Sequence, residues 1–245
     1  MENSKANIVL EVCVALAPIE EDSEWLRNMS SRIADSAKTL INLQGNHLRL
    51  SFAPHLTLYQ LSLPLSNVDQ ACQLLNKLSR QTECVKINAR SFQCNAEGSV
   101  EISYKNTSIL ASLQKAVVDS LNFLRDGNLV EMDPAGKSLL EQLALDPHGN
   151  IATTGWKEGI QDFSPHATLN WLPAHCIPDL QKSLSIPYDI SNIVHRYEHL
   201  CLFVLGPYGT CVQKLQQFPL LKEMAVCAES SPIPASVPSS LNGLN

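Results

Sequence analysis

Positive charge is scarce in this sequence. Its 245 residues include 18 Lys and Arg against 24 Asp and Glu, which gives a formal net charge of -6 at pH 7. Proteins that hold long nucleic acids neutralise many phosphates with Lys and Arg, so this balance argues against an extended nucleic-acid surface. A small or short anionic ligand is compatible with this balance.

Long apolar runs are also missing. No segment approaches the roughly 18 consecutive apolar residues that a membrane-spanning helix needs. The mostly apolar segment 8–18 is interrupted by Glu11 and is not preceded by the positively charged region of a signal peptide. We therefore expect a soluble, cytoplasmic protein with no membrane partner.

No C-x-x-C pair occurs among the eight cysteines, which excludes a zinc ribbon or a thioredoxin-type motif built from neighbouring cysteines. We interpret them as mostly buried free thiols in a reducing compartment. They are Cys13, Cys72, Cys84, Cys94, Cys176, Cys201, Cys211 and Cys227.

The length leaves room for one large domain or two small ones. We predict one domain over residues 7–221 and favour a monomer. Residues 222–245 are rich in Pro and Ser and contain too little apolar surface to offset the entropy lost on ordering. We predict a disordered tail there.

The rest of the chain alternates between strand-like and helix-like periodicity, so both strands and helices are expected. Strands are predicted over residues 8–16, 48–58, 85–92, 99–104 and 163–172, with a closing hairpin from 200–204 and 212–218. Helices are predicted over residues 20–43, 66–79, 107–124, 134–145 and 174–184.

The pattern P-H-x-T-L occurs twice, at residues 54–58 and 165–169. Chance placement of 14 prolines and 7 histidines does not account for two copies. Each copy lies in a strand-like run, in which side chains two positions apart point to the same face. The His and the Thr of each copy are therefore expected to project together.

The four repeated side chains, His55 with Thr57 and His166 with Thr168, suit chemistry on a phosphate group. Imidazoles titrate near neutral pH, so one histidine can accept a proton while the other donates one. Threonine hydroxyls can hydrogen-bond to phosphate oxygens. This interpretation requires the two strands to face one cleft.

The duplicated hydrophobic-His-x-Thr-hydrophobic signature resembles that of the two-histidine (2H) phosphoesterase superfamily, which includes RNA 2',3'-cyclic phosphodiesterases and the enzymes called 2'-5' RNA ligases. The resemblance extends over residues 7–221. It implies an α+β fold of the bilobal 2H-phosphoesterase-like type, in which two pseudo-symmetric lobes with antiparallel sheets surround a central groove and the helices lie outside. Each lobe is expected to supply one H-x-T strand.

The same resemblance implies a metal-independent phosphodiesterase that hydrolyses a 2',3'-cyclic phosphate or a 2'-5' phosphodiester in a nucleotide or short RNA, with ligation as the reverse reaction. His55 and His166 match the catalytic histidines, and Thr57 and Thr168 match the phosphate-contacting threonines. No metal and no cofactor is implied. The alternatives are a non-catalytic nucleotide-binding module and a phosphodiesterase of 2'-5' oligoadenylate or cyclic-nucleotide signals.

Two features are expected to adjust the groove. The segment 126–163 makes the spacing between the motifs longer than in compact members, and we expect it to shape substrate choice. Continued strand alternation places Tyr59 and Asn170 on the groove face as weak candidates for substrate binding. Basic residues that could assist phosphate binding are Arg49, Arg90, Lys105, Lys157 and Arg196.

Residues 195–199 spell H-x-x-E-H, a pattern that binds zinc when it lies on a helix. The flanking residues have the pattern of an extended chain. On a strand the two histidines would be about 13 Å apart along the chain. We therefore expect polar strand residues here and no zinc site.

Overall fold

A computed structural model of the chain describes residues 8–41, 53–160, 162–183 and 190–221. Its strands are β1 Val9–Pro18, β2 Leu56–Pro64, β3 Val85–Cys94, β4 Ser99–Tyr104, β5 His166–Trp171, β6 Val194–Leu205 and β7 Cys211–Pro219. Its α-helices are α1 Glu20–Ile41, α2 Val68–Ser79, α3 Ser108–Leu121, α4 Leu139–Leu145, α5 Asn150–Thr154 and α6 Ile177–Ser183.

The seven strands in the described residues form one antiparallel, open sheet with the order β2-β1-β6-β3-β4-β5, and β7 pairs with β6. Strand β3 joins two halves of this sheet. Its residues 85–88 pair with β6, and its residues 89–94 pair with β4. One lobe is therefore built on β2, β1, β6 and β7, and the other on β3, β4 and β5, with a motif strand at each end of the order.

Helix α1 has ends that match the helix dipole, because three acidic residues lie in its first turn and Lys38 lies in its last. The helix is fastened to the second motif strand by Ser30, whose hydroxyl donates a hydrogen bond to the Leu169 carbonyl at 2.6 Å. The apolar side chains that it buries recur every three or four residues. They are Leu26, Met29, Ile33 and Ala37.

The structure confirms most of the predicted elements and changes the segment 126–163. The predicted helix over residues 134–145 begins only at residue 139, because Asp133 accepts hydrogen bonds from the N–H groups of Ala135 and Lys137 and holds a turn there. Helix α5 is an element that the sequence pattern does not predict. Residues 48–52 of the predicted second strand and the predicted tail, 222–245, lie outside the described residues.

The helices in the described part of the chain are all too short or too polar to cross a membrane.

Candidate active site

The two H-x-T motifs meet at one cavity of about 230 Å³. His55 immediately precedes β2 and His166 is the first residue of β5, so the motifs come from the two ends of the strand order. His55, Thr57, His166 and Thr168 all line this cavity. The structure thus brings the four predicted site residues together.

Both histidines are oriented in the same way. His55 Nδ1 lies 2.9 Å from the Ala53 carbonyl oxygen, and His166 Nδ1 lies 2.8 Å from the Ser164 carbonyl oxygen. A carbonyl can only accept, so each Nδ1 carries a hydrogen. The nitrogen left to exchange a proton is therefore Nε2 in both rings.

The surroundings of His55 favour its neutral form. Burial lowers the pKa of this imidazole and the charge of His166 lowers it further, against the opposing effects of backbone hydrogen bonds to Ala53 and Gly209. The Phe203 ring, with its centroid 6.2 Å from that of His55, contributes to this apolar surrounding. His55 is consequently poised to accept a proton at neutral pH.

The two threonines have different neighbours. Thr57 Oγ1 lies 3.6 Å from the Sγ of Cys13, a fully buried residue of β1. Thr168 is paired across the strands with Glu101, which also lines the cavity. Thr57 therefore lies next to a buried thiol, and Thr168 lies beside a carboxylate.

The prediction that Tyr59 and Asn170 face the groove is wrong. Register shifts occur opposite the motif strands, between Val14 and Ala15 for β2 and between Val100 and Glu101 for β5. Each shift leaves one residue beyond the motif threonine without a partner. A β-bulge of this kind reverses the alternation of side chains.

As a result, the third residue after each threonine lines the cavity, namely Gln60 and Trp171. Tyr59 is only 2 % exposed, and its hydroxyl lies 2.5 Å from the Thr154 carbonyl oxygen. Asn170 is buried and donates to the Ser30 carbonyl at 2.8 Å. Both residues serve packing in this structure.

The segment 126–163 supplies part of the cavity wall through Pro134, Lys157 and Glu158. Lys157 Nζ lies 3.3 Å from a carboxylate oxygen of Asp133, whose side chain is buried. Burial opposes the charged form of Asp133, but hydrogen bonds from the Lys137 N–H and the nearby Lys157 ammonium outweigh it, so the pKa lies below its usual value. The buried carboxylate thus holds a cation at the cavity.

Of the other basic candidates, Arg90, Lys105 and Arg196 are not among the residues that line the cavity. Arg49 lies outside the described residues.

An aromatic pair that the sequence analysis did not select also lines the cavity. The rings of Trp171 and Tyr208 are stacked, with centroids 5.8 Å apart and planes inclined by 24°. Tyr208 has a left-handed backbone, φ 60, and is 54 % exposed. The Gly-Pro-Tyr-Gly pattern at residues 206–209 indicates a turn, but the sequence does not indicate that this turn lies close to β5.

Three of the other lining residues are acidic. Glu97, Glu101 and Glu158 all contribute to the cavity wall. Glu97 is paired with Lys137 at 2.6 Å, and Glu101 accepts a hydrogen bond from Ser99 at 3.2 Å. These carboxylates disfavour a ligand that carries much negative charge near them.

The H-x-x-E-H residues lie on β6, as the sequence analysis expected, and not on a helix. His195 is buried, and its Nδ1 lies 2.7 Å from the Tyr104 hydroxyl, which accepts from the Tyr197 hydroxyl at 3.0 Å. His195 is therefore part of the core. Among the described residues, the one cluster with spacing suited to a shared metal ion is Cys13, His55 and Cys211.

The similarity of this chain to known proteins is found among solved structures. No protein-family model and no curated protein sequence matches the chain. Among solved structures, TT0787 of Thermus thermophilus matches with 17% identity and a TM-score of 0.50, covering 88% of this chain and 100% of that chain.

Two further solved structures are similar at lower TM-scores. E. coli LigT complexed with NADP+ matches with 12% identity and a TM-score of 0.49, covering 87% of this chain and 99% of that chain. Usb1 of Kluyveromyces marxianus matches with 9% identity and a TM-score of 0.45, covering 87% of this chain and 99% of that chain. The similarity to TT0787 extends over nearly the whole chain, and the fold of this protein is that of the two-histidine phosphoesterases.

Proposed function

We propose that this protein is a metal-independent phosphodiesterase that hydrolyses the 2',3'-cyclic phosphate of a nucleotide or a short RNA. The observation that carries the proposal is the convergence of two H-x-T motifs on one cavity, with both imidazoles held through Nδ1. Two Nε2 atoms are thereby available for proton transfer on one substrate. A cytoplasmic location agrees with the seven cysteines that are free in the described residues.

In the proposed reaction, His55 acts as the general base. Its lowered pKa keeps Nε2 unprotonated at neutral pH, so it can take a proton from water as the water oxygen attacks phosphorus. His166 then protonates the ribose oxygen that leaves when one P–O bond of the cyclic phosphate breaks. The product is a phosphomonoester, and in the reverse direction, which closes the cyclic phosphate and releases water, the two histidines exchange roles.

The threonines and Lys157 are proposed to bind the phosphate. Thr57 and Thr168 would donate to the two non-bridging oxygens, where negative charge increases in the transition state. Lys157, held by Asp133, adds a positive charge. Hydrogen bonds to charged groups contribute about 1.5–3 kcal/mol each.

The acidic wall favours a substrate with one negative charge. A cyclic phosphate diester carries one, whereas a terminal phosphomonoester or a long RNA brings more charge toward Glu97, Glu101 and Glu158. The overall charge of -6 has the same effect at longer range. We therefore infer that a 2',3'-cyclic mononucleotide or a short oligonucleotide end is preferred.

The exposed face of Tyr208 is a suitable platform for the base. It is stacked on Trp171 on one side and more than half exposed. Stacking of a base on an aromatic side chain contributes about 1–3 kcal/mol and tolerates any base. The proposed enzyme thus reads the sugar phosphate and accepts different bases.

The decisive assay incubates the protein with 2',3'-cyclic nucleotides, 2'-5' oligoadenylate and 3',5'-cyclic nucleotides, and identifies products by mass spectrometry. Consumption of the 2',3'-cyclic nucleotides by the wild type, and not by a doubly substituted His55→Ala, His166→Ala protein, is the expected result. Exclusive consumption of 2'-5' oligoadenylate would transfer the proposal to that substrate. Tight binding without turnover would identify a nucleotide-binding module instead.

A further inference from the structure

Directly beneath the first motif lies a cluster that the proposed reaction does not use. Cys13 comes from β1, His55 precedes β2 and Cys211 begins β7. The two Sγ atoms and one ring nitrogen of His55 all lie within 4.8 Å of one another. Cys13 is 0 % exposed and Cys211 4 % exposed, so two thiols are buried against an imidazole that reaches the cavity.

This donor set suits a thiophilic cation. Two thiolates and one imidazole with an open fourth position is a known arrangement for zinc, with bonds of about 2.3 Å to sulfur and about 2.0 Å to nitrogen. Ligand atoms on such a tetrahedron are about 3.5–3.8 Å apart. The observed limit of 4.8 Å exceeds this spacing by about 1 Å. Mg²⁺ and Ca²⁺ prefer oxygen ligands and do not suit the cluster.

A disulfide between the two thiols does not suit the backbone. Strands β1 and β7 lie on opposite sides of β6, so their Cα atoms are separated by two strand spacings, about 9.5 Å. A disulfide needs Cα atoms about 4.4–6.8 Å apart. The cluster can therefore be bridged by a metal ion but not by an S–S bond.

The route to the cluster passes through the active site. His55 lines the cavity, whereas the thiols are covered by the apolar group that Cys13 and Cys211 form with Ala15, Cys201 and Phe203. An ion from solvent must enter past His55, and its fourth ligand would be a water in the cavity. Since Nδ1 donates to Ala53, Nε2 is the nitrogen with a free lone pair for the metal.

We propose that Cys13, His55 and Cys211 bind one zinc ion, and that this ion switches the phosphodiesterase off. Both thiols release their protons to solvent when the two Zn–S bonds form. The Zn–N bond occupies the lone pair that would accept the proton of the attacking water. The inhibition rests on the proposed function, whereas the binding site does not.

Binding is tested on the full-length protein, freed of metal, with Co²⁺ as a spectroscopic probe and Zn²⁺ as its competitor. We expect one equivalent of Co²⁺ to give a thiolate-to-metal charge-transfer band that Zn²⁺ abolishes. Cys211→Ala and Cys13→Ala should each weaken binding at least tenfold. Cys201→Ala removes a thiol from the same apolar group outside the trio and should bind as the wild type does.

Three results would overturn the site: no charge-transfer band in the wild type, unchanged affinity in Cys211→Ala, or equal loss in Cys201→Ala. Circular dichroism checks that each variant is folded. Cadmium NMR on the wild type gives an independent measurement, because its chemical shift reports whether two sulfur ligands are present. A signal typical of oxygen ligands alone would also reject the site.

Inhibition is measured separately, with each variant compared to its own metal-free rate. Zn²⁺ should inhibit the wild type and Cys201→Ala over the concentration range that fills the site, and EDTA should restore the rate. Cys211→Ala should need at least tenfold more Zn²⁺. Zinc binding without inhibition would overturn the switch, and a protein that binds zinc but hydrolyses no substrate would reject only the proposed phosphodiesterase.

Discussion

The two motif lobes have the same local geometry and different surroundings. In each, the histidine is held by the carbonyl two residues earlier, and a β-bulge follows the threonine. Beneath His55 lie the thiols of Cys13 and Cys211 and the Phe203 ring. Beside His166, strand β4 presents Ser103, Glu101 and Ser99 instead.

In the proposed mechanism, this difference gives two chemical roles to one repeated motif. Each motif leaves Nε2 of its histidine available, and the neighbouring strands differ. Burial lowers the pKa of His55, whereas hydroxyl and carboxylate side chains of β4 lie beside the strand that carries His166.

The largest effect is expected from the histidines. His55→Ala and His166→Ala should each lower kcat by about 10² to 10⁴, since each removes one proton transfer. The double substitution should cost much less than the product of the single losses, because donor and acceptor act as a unit. Single-turnover rates on a 2',3'-cyclic nucleotide measure this, and a fully active double variant would contradict the mechanism.

The pH profile separates the two roles. The wild-type rate should be bell-shaped, and its acid limb should lie below pH 6.5, because the pKa of His55 is lowered and the base is lost only when pH falls through that value. The residual rate of His55→Ala should lack the acid limb and that of His166→Ala the alkaline limb. The opposite pattern would show that the roles are exchanged.

Lys157 belongs to the segment 126–163 and to neither motif. Lys157→Met should lower kcat/KM about 10- to 100-fold, because a charge-assisted contact to phosphate is lost. Lys115→Met is the matched control, since Lys115 is an exposed cation paired with Asp119 on α3. Equal effects of the two substitutions would show that only overall charge matters.

The threonines should have smaller effects. Thr57→Val and Thr168→Val each remove one hydrogen bond from a neutral hydroxyl to the phosphate, at the lower end of the range of about 1.5–3 kcal/mol, which is roughly tenfold in rate, and leave the proton transfers in place. Both variants should keep both limbs of the pH profile. Loss of a limb in Thr57→Val would mean that this threonine, and not the burial of the imidazole, determines the pKa of His55.

The smallest effect on activity is expected from Tyr59, which the structure removes from the groove. Tyr59→Phe should lower the free energy of unfolding by about 1–3 kcal/mol, since it leaves the buried Thr154 carbonyl without a partner. The kcat/KM of the folded variant should stay within about twofold of the wild type. Chemical denaturation and steady-state kinetics check the two quantities, and a large loss of kcat/KM at full stability would return Tyr59 to the site.

The sequence predicted the parts of this molecule that depend on local pattern. Strand and helix periodicity identified most elements, and the duplicated motif identified the four residues that share the cavity. It did not predict Gln60 and Trp171 in the cavity, because a register shift depends on the partner strand and has no signal in the motif itself. The trio with Cys211 was missed for a related reason, since its members come from three strands far apart in the chain.

Strand β3 has a mechanical consequence for the whole protein. Since its first half belongs to one lobe and its second half to the other, the lobes are joined by continuous hydrogen-bonded backbone and not by a flexible linker. A hinge motion that opened the cavity would therefore have to bend this strand and break its backbone hydrogen bonds. We accordingly expect the width of the cavity to change little, so that in the proposed function selection of substrates by length falls to residues at its edge such as Tyr208 and Lys157.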